Sequence, residues 1–193
     1  MSQIKLLHSG GNGVSIVAPD SNPASDRTLK LPIDGDGTIL TTNSSVGKIL
    51  QVLQVKKTDV FTTTNTTSSG THPWGNDVSG LSLNITMTNA SNKVLAILNG
   101  TISNSATNYY TYLYLYRHTN TFLGASTAKT GSGSLATNDV VITALDTPGA
   151  GTHLYLARVA TEGNTAKVGQ GQNDSGHNDN IGDSTLTLME VAA

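Results

Sequence analysis

The sequence predicts an all-β protein, and three observations carry the prediction. Thr, Ser, Asn and Gly dominate while the helix formers Glu, Lys and Met are scarce, with Glu present only at Glu162 and Glu190. Apolar and polar residues alternate at period two in segment after segment, and no window shows the 3.6-residue period of an amphipathic helix. Turn-forming clusters of Gly, Asn and Pro separate these segments at regular intervals, as in a sandwich rather than in a parallel sheet, whose crossovers need helices. The expected architecture is an extended N-terminal arm over residues 1–45, then an antiparallel, jelly-roll-like β-sandwich head over residues 46–193.

The arm comes first. Residues 1–7 form a short apolar-alternating stretch with Ile4, Leu6 and Leu7, broken by Gly10, Gly11 and Gly13; residues 14–17 suit one strand, and Pro19, Pro23 and Pro32 punctuate the remainder of the arm. So few large apolar side chains cannot offset the entropy of ordering some forty residues. The arm is therefore expected to fold by pairing with other chains or by docking on a neighbouring protein.

In the head, residues 48–55 continuing into 58–64 as one strand, then 81–87, then 93–102 after an Asn89–Asn92 turn, read as strands that neighbour one another antiparallel. Further strands are expected at 109–118, around Phe122 and Leu123, at 139–145, 153–160, 166–169 and 184–191, eight or nine in all. Two of them are apolar on both faces. Residues 94–98 are hydrophobic throughout, and in residues 109–116 leucines alternate with tyrosines. If Leu113 and Leu115 face the core, then Tyr112, Tyr114 and Tyr116 face outward and need cover. Either the register is reversed and a loop or neighbour covers the other face, or the tyrosines form a subunit interface around a symmetry axis.

Residues 14–42 contain, in order, the words Ala18-Pro19, Asn22-Pro23-Ala24, Arg27-Thr28-Leu29-Lys30-Leu31-Pro32 and Asp36-Gly37-Thr38-Ile39-Leu40-Thr41-Thr42. This run resembles a stretch found in tail-fibre-like virion proteins of bacteriophages, notably those of cyanobacterial and marine hosts. Residues 48–55, the Thr-rich strand after them, residues 78–81 and the closing residues 184–192 are similar to the C-terminal heads of those fibres. The resemblance implies a homotrimer with three arms side by side or entwined and three sandwich heads at the distal end. Such proteins often carry a separate attachment domain before the stem. Here attachment to other virion proteins is expected to use the first dozen residues, Ile4, Leu6 and Leu7 among them, or a companion protein.

Composition narrows the partners. With 12% charged residues and a net charge of −2 there is no electrostatic footprint for nucleic acid. No apolar run is long enough to span a membrane and no cleavable signal opens the chain, so synthesis without that export route is expected; the resemblance to phage fibres implies synthesis in the host cytoplasm and a final place on the virion surface. The absence of cysteine removes disulfides, thiolate metal sites and cysteine nucleophiles.

Catalysis has little to stand on. No spacing brings two aspartates to a glycosidase separation, and no serine sits in a Gly-x-Ser-x-Gly elbow, so no catalytic residue is assigned. No metal or cofactor is expected either: Asp34–Gly37 and Asn173–Asn180 supply oxygen atoms but lack the closed pattern of a calcium loop, and turn chemistry explains both. Binding has better support. Residues 71–77 hold the only tryptophan in a polar segment, and residues 173–180 are rich in amides and carboxylates. An aromatic face stacks on a sugar ring while polar groups take its hydroxyls, which makes His72, Trp74, Asn76, Asp77, Asp174, His177 and Asn178 candidate contacts for a host-surface glycan. The competing reading has Trp74 closing one end of the sandwich. A trimeric tail fibre is the leading expectation for function, ahead of a capsid decoration protein and of a virion-associated polysaccharide hydrolase.

Overall fold

A computed structural model describes residues 3–7, 9–11, 13–17, 49–66, 74–131, 137–171 and 182–193. The chain divides into two units, Met1–Thr42 and Asn43–Ala193. In the first, β1 (Gln3–Leu7) and β2 (Gly13–Val17) form an antiparallel hairpin whose register pairs position 4 with 16 and position 6 with 14.

The second unit is built from strands alone among its described residues: β3 (Ile49–Lys57), β4 (Phe61–Thr63), β5 (Asn76–Met87), β6 (Lys93–Asn104), β7 (Tyr110–Arg117), β8 (Thr121–Lys129), β9 (Asn138–Asp146), β10 (Gly151–Thr161), β11 (Ala166–Val168) and β12 (Ser184–Val191). All their ladders are antiparallel. One sheet runs β5-β10-β7-β8. In the other, β12 joins β3 to β6, and β9 takes the opposite edge of β6. Past the end of β12, the short β11 takes over that edge of β6 and carries β4.

Numbering the eight long strands from β3, the sheets read first-eighth-third-sixth and second-seventh-fourth-fifth, which is the winding of a jelly roll with its two Greek keys. This corrects the expectation that β3, β5 and β6 are bonded neighbours. Turn residues reveal that the chain reverses, not whether it reverses within a sheet or crosses to the opposite one. Residues 58–64 also do not prolong β3: β4 pairs with β11 instead.

The core lies between the sheets. Val94, Ala96, Leu98, Ile102, Leu186 and Leu188 from one sheet meet Leu81, Ile85, Leu113, Leu115, Tyr155 and Val159 from the other. Each set recurs at every second residue, so alternation in the sequence becomes one apolar face per strand. The register of β7 is settled by this: leucines face the opposite sheet and tyrosines face outward. A β-bulge between Leu115 and Tyr116 lets Leu123 pack against the core while the adjacent Phe122 pairs with Tyr116. Position 124 is glycine because a Cβ there would come within 2.7 Å of Ile142.

One carboxylate is buried at the end of the sandwich. Glu190 on β12 is fully enclosed and accepts hydrogen bonds from Gln51 Nε2 (2.6 Å), Asn92 Nδ2 (2.7 Å) and both the backbone N–H and hydroxyl of Thr88 (2.8 Å each). Burial alone would raise its pKa, but these donors overcome that and hold it at about 2. Glu190 thus ties β3 and the β5–β6 turn to β12 as an acceptor that is charged at neutral pH.

Candidate functional site

The outer face of the β5-β10-β7-β8 sheet gathers several of the residues singled out by the sequence. Cross-strand register sets Leu156 beside Tyr116, Arg158 beside Tyr114 and Ala160 beside Tyr112. Phe122 flanks Tyr116 from β8, and Asp77 lies opposite Arg158 on β5. Trp74 joins this outer cluster rather than the core between the sheets, so it does not close an end of the sandwich.

Local backbone explains how Trp74 reaches this position. Gly75 has φ +77°, and a Cβ there would lie 2.6 Å from the carbonyl oxygen of Val159. Only glycine lets the segment before β5 press against β10. The backbone N–H of Trp74 then donates to the Tyr116 hydroxyl at 3.1 Å, and its indole lies 5.9 Å from the Tyr114 ring and 6.2 Å from Phe122.

The aromatic rings form a continuous row. Tyr112 and Tyr114 are stacked at 6.3 Å, Tyr114 and Tyr116 meet edge to face, and Tyr110 extends the row at 6.2 Å from Tyr112. Tyr114 and Tyr116 are buried within the single chain, whereas Tyr110 and Phe122 are exposed and Tyr112 and Trp74 are half-buried. Desolvation pushes the Tyr114 hydroxyl well above the ordinary tyrosine range, and the neighbouring Tyr112 and Tyr116 add to the effect. The expectation of a subunit contact through the tyrosine stripe is corrected for two of its members. Leu156, Ala160, Trp74 and Phe122 cover Tyr114 and Tyr116 in cis, so these rings offer no free surface to another copy.

Arg158 is the polar centre of the face. It is buried, its Nε donates to Asp77 Oδ1 at 2.5 Å, its Nη1 to the Thr119 carbonyl at 3.3 Å, and its guanidinium lies 5.1 Å from the centre of the Tyr116 ring. Sequence reasoning passed over it, although a lone charge inside the apolar run 154–160 was the available signal. Asn76 is exposed, yet it donates to the Thr63 hydroxyl and accepts from Asn65 Nδ2. Asp77 and Asn76, read as candidate sugar contacts, thus hold the start of β5 in place, while the Asp77 side chain remains 64% exposed. His72, Asp174, His177 and Asn178 lie outside the described residues, as do the side chains of Ile4 and Leu6; Leu7 is exposed.

Elsewhere, His118 and His153 face each other at 3.3 Å, with the second ring nitrogen of His153 near the carbonyls of Gly149 and Ala150. Among the described residues no group of three His, Cys, Asp or Glu side chains could hold a metal ion, and no helix is long and apolar enough to cross a membrane. The Tyr155 hydroxyl donates to Asp146 at 2.7 Å, and burial pushes it far above its usual range.

No protein-family model matches the chain, and no curated protein sequence does. Among solved structures it is similar to the VP2 subviral particle of infectious bursal disease virus, at 14% identity and a TM-score of 0.34 over 95% of this chain. Structures of the Gx and Gt strains of that virus are similar at 14% identity and TM-scores of 0.31 and 0.30. This chain spans about half the length of those structures' chains, 48%, 47% and 46%. An overlap at this level carries no functional argument.

Proposed function

We propose that this chain is a virion structural protein of a bacteriophage, a trimeric tail fibre or part of one, whose arm attaches to other virion proteins and whose head meets the host surface. The observation that carries the reading is a jelly-roll head preceded by residues 14–42 with the ordered word pattern of phage fibre stems. Its role is mechanical and adhesive, without an enzymatic step. Within the head, the end of the aromatic face at Trp74 and Phe122, whose rings lie 6.2 Å apart, is the place for a sugar ring, with the Asp77 carboxylate on the same face beside Arg158 and with Tyr112 and Tyr110 continuing the aromatic row.

Cryo-electron microscopy of the intact particle tests the reading. Density for this chain at the tail is the expected result. Density distributed over the shell makes it a capsid decoration protein instead, and glycan cleavage by the purified protein makes it a polysaccharide hydrolase.

A further inference from the structure

The β3-β12-β6-β9 sheet also has an outer face, and nothing in the functional reading uses it. Register runs one row straight across the sheet: Val52 beside Met189, Met189 beside Leu95, Leu95 beside Leu145. The next row is Gln54, Thr187, Ile97 and Thr143, and Val141 lies one row further on β9. Val52 is 55% exposed, Val141 59% and Leu145 61%, with Ile49 and Leu50 also exposed at the start of β3. The two central rows contain no charged residue; Lys56, Lys93 and Asp139 stand only at their margins.

An antiparallel sheet normally turns a polar face to water, and β6 breaks that rule with apolar residues on both sides over residues 94–98. A contiguous apolar patch rimmed by polar residues marks an interaction surface. Its chemistry selects the occupant. A nucleic acid needs positive charge and a sugar ring an aromatic face to stack on, both of which the central rows lack; Gln54, the longest polar side chain in them, donates to Thr187, and a charged protein partner would find nothing complementary. A second copy of this chain fits: charge-depleted, apolar-centred patches are characteristic of contacts between subunits, and around a threefold axis one edge of such a face packs on the other edge of its neighbour's without like-charge repulsion. Strand rise and spacing make the face roughly 30 Å long and 15 Å wide. In projection that is about 450 Å², rather more than half of the ~800 Å² that one partner contributes to a standard interface.

We infer that copies of this chain associate through the outer face of the β3-β12-β6-β9 sheet, centred on Val52, Met189, Leu95 and Leu145, and not through the tyrosine stripe. This deepens the oligomer part of the functional reading and rests on that part alone. The test is sedimentation velocity on the full chain. The wild type is expected to sediment as an oligomer, and a V52E/L145E variant to associate about 100-fold more weakly with an unchanged circular dichroism spectrum. Both side chains are more than half exposed in the single chain, so the fold does not depend on them. Should the charged variant fail to fold, V52T/L145T, which keeps strand-favouring residues, is expected to shift the equilibrium in the same direction by a smaller factor. Tyr110→Glu, on the opposite face, is expected to leave association unchanged. A monomeric wild type overturns the inference, as does an oligomer that survives both double variants. Because purified chain is used, an oligomer lost in the variants but absent from particles keeps this interface and discards the virion reading. Particle density with an oligomer indifferent to the variants does the reverse.

Discussion

The two outer faces of the sandwich begin from similar sequence and end differently. Residues 94–98 and 109–116 are each apolar on both sides of a central strand. On β7 the outward residues are covered within the chain, by Trp74, Phe122 and the side chains of Leu156 and Ala160 on β10, with Arg158 and Asp77 closing the polar end. On β6 the outward Leu95 and Ile97 are only half-buried, and the row of Leu95 runs to exposed residues at both sheet edges. The contrast shows that a two-sided apolar strand demands cover without specifying its source. Aromatic rings can be satisfied locally, because ring edges pack on neighbouring ring faces and the Tyr116 hydroxyl takes the Trp74 backbone N–H. Flat aliphatic rows offer no such anchor and are matched by another apolar surface.

Substitutions can break or sharpen this comparison, and the largest effect is expected where the sheets are tied together. Glu190→Gln removes the charge and, with its amide oxygen kept toward Thr88 and Asn92, sets a donor against Gln51 Nε2; it is expected to cost about 3 kcal/mol at pH 7. The folded pKa of about 2 lies below the unfolded value of 4.5, so the carboxylate's stabilisation is complete above about pH 4.5 and is lost as pH falls through about 2. Urea unfolding of wild type and variant across that window should therefore show the gap closing with acid. Trp74→Ala strips the cover from Tyr114 and should cost about 2 kcal/mol, less than for a fully enclosed tryptophan because the ring is half-buried. Thermal unfolding checks the loss, and a rise in tyrosine accessibility to iodination shows where it occurs.

Smaller changes separate the faces further. Tyr116→Phe keeps the ring but removes the acceptor for the Trp74 N–H, an expected loss of about 1 kcal/mol in chemical unfolding. Leu145→Thr on the bare face should change the stability of the dissociated chain by less than about 0.5 kcal/mol, measured at concentrations below association. A cost there as large as that of Trp74→Ala would mean that Leu145 is covered in cis and would remove the contrast between the faces.

Much of the head was legible in the sequence. Alternation at residues 81–87 marked an apolar face whose Leu81, Ile85 and Met87 are in the core, and of the two registers open for residues 109–116 the structure has the one with Leu113 and Leu115 inward. The candidate site was legible only in part. Trp74, Asn76 and Asp77 were chosen as one cluster and the tyrosines as another; the structure brings Trp74 and Asp77 onto the face of the tyrosines, while Asn76 bonds Thr63 and Asn65 instead. Arg158 and Phe122 complete that face from strands distant in sequence, which no local spacing reveals.

What the sequence by itself determined is local: strand composition, period-two patterning, the inward and outward sets on each strand, and the need to cover two apolar outer faces. These properties come from the pleat, in which each residue's face depends only on its neighbours along the chain. Which strands pair, and hence the jelly-roll winding, was decided by tertiary structure, because a turn reverses the chain without naming the sheet it enters. Tertiary structure alone also decided that Glu190 is a buried anion held by four donors, and that the tyrosines carry their own cover while the β6 face does not. Each depends on groups separated by tens of residues, whose meeting is set by the packing of two whole sheets.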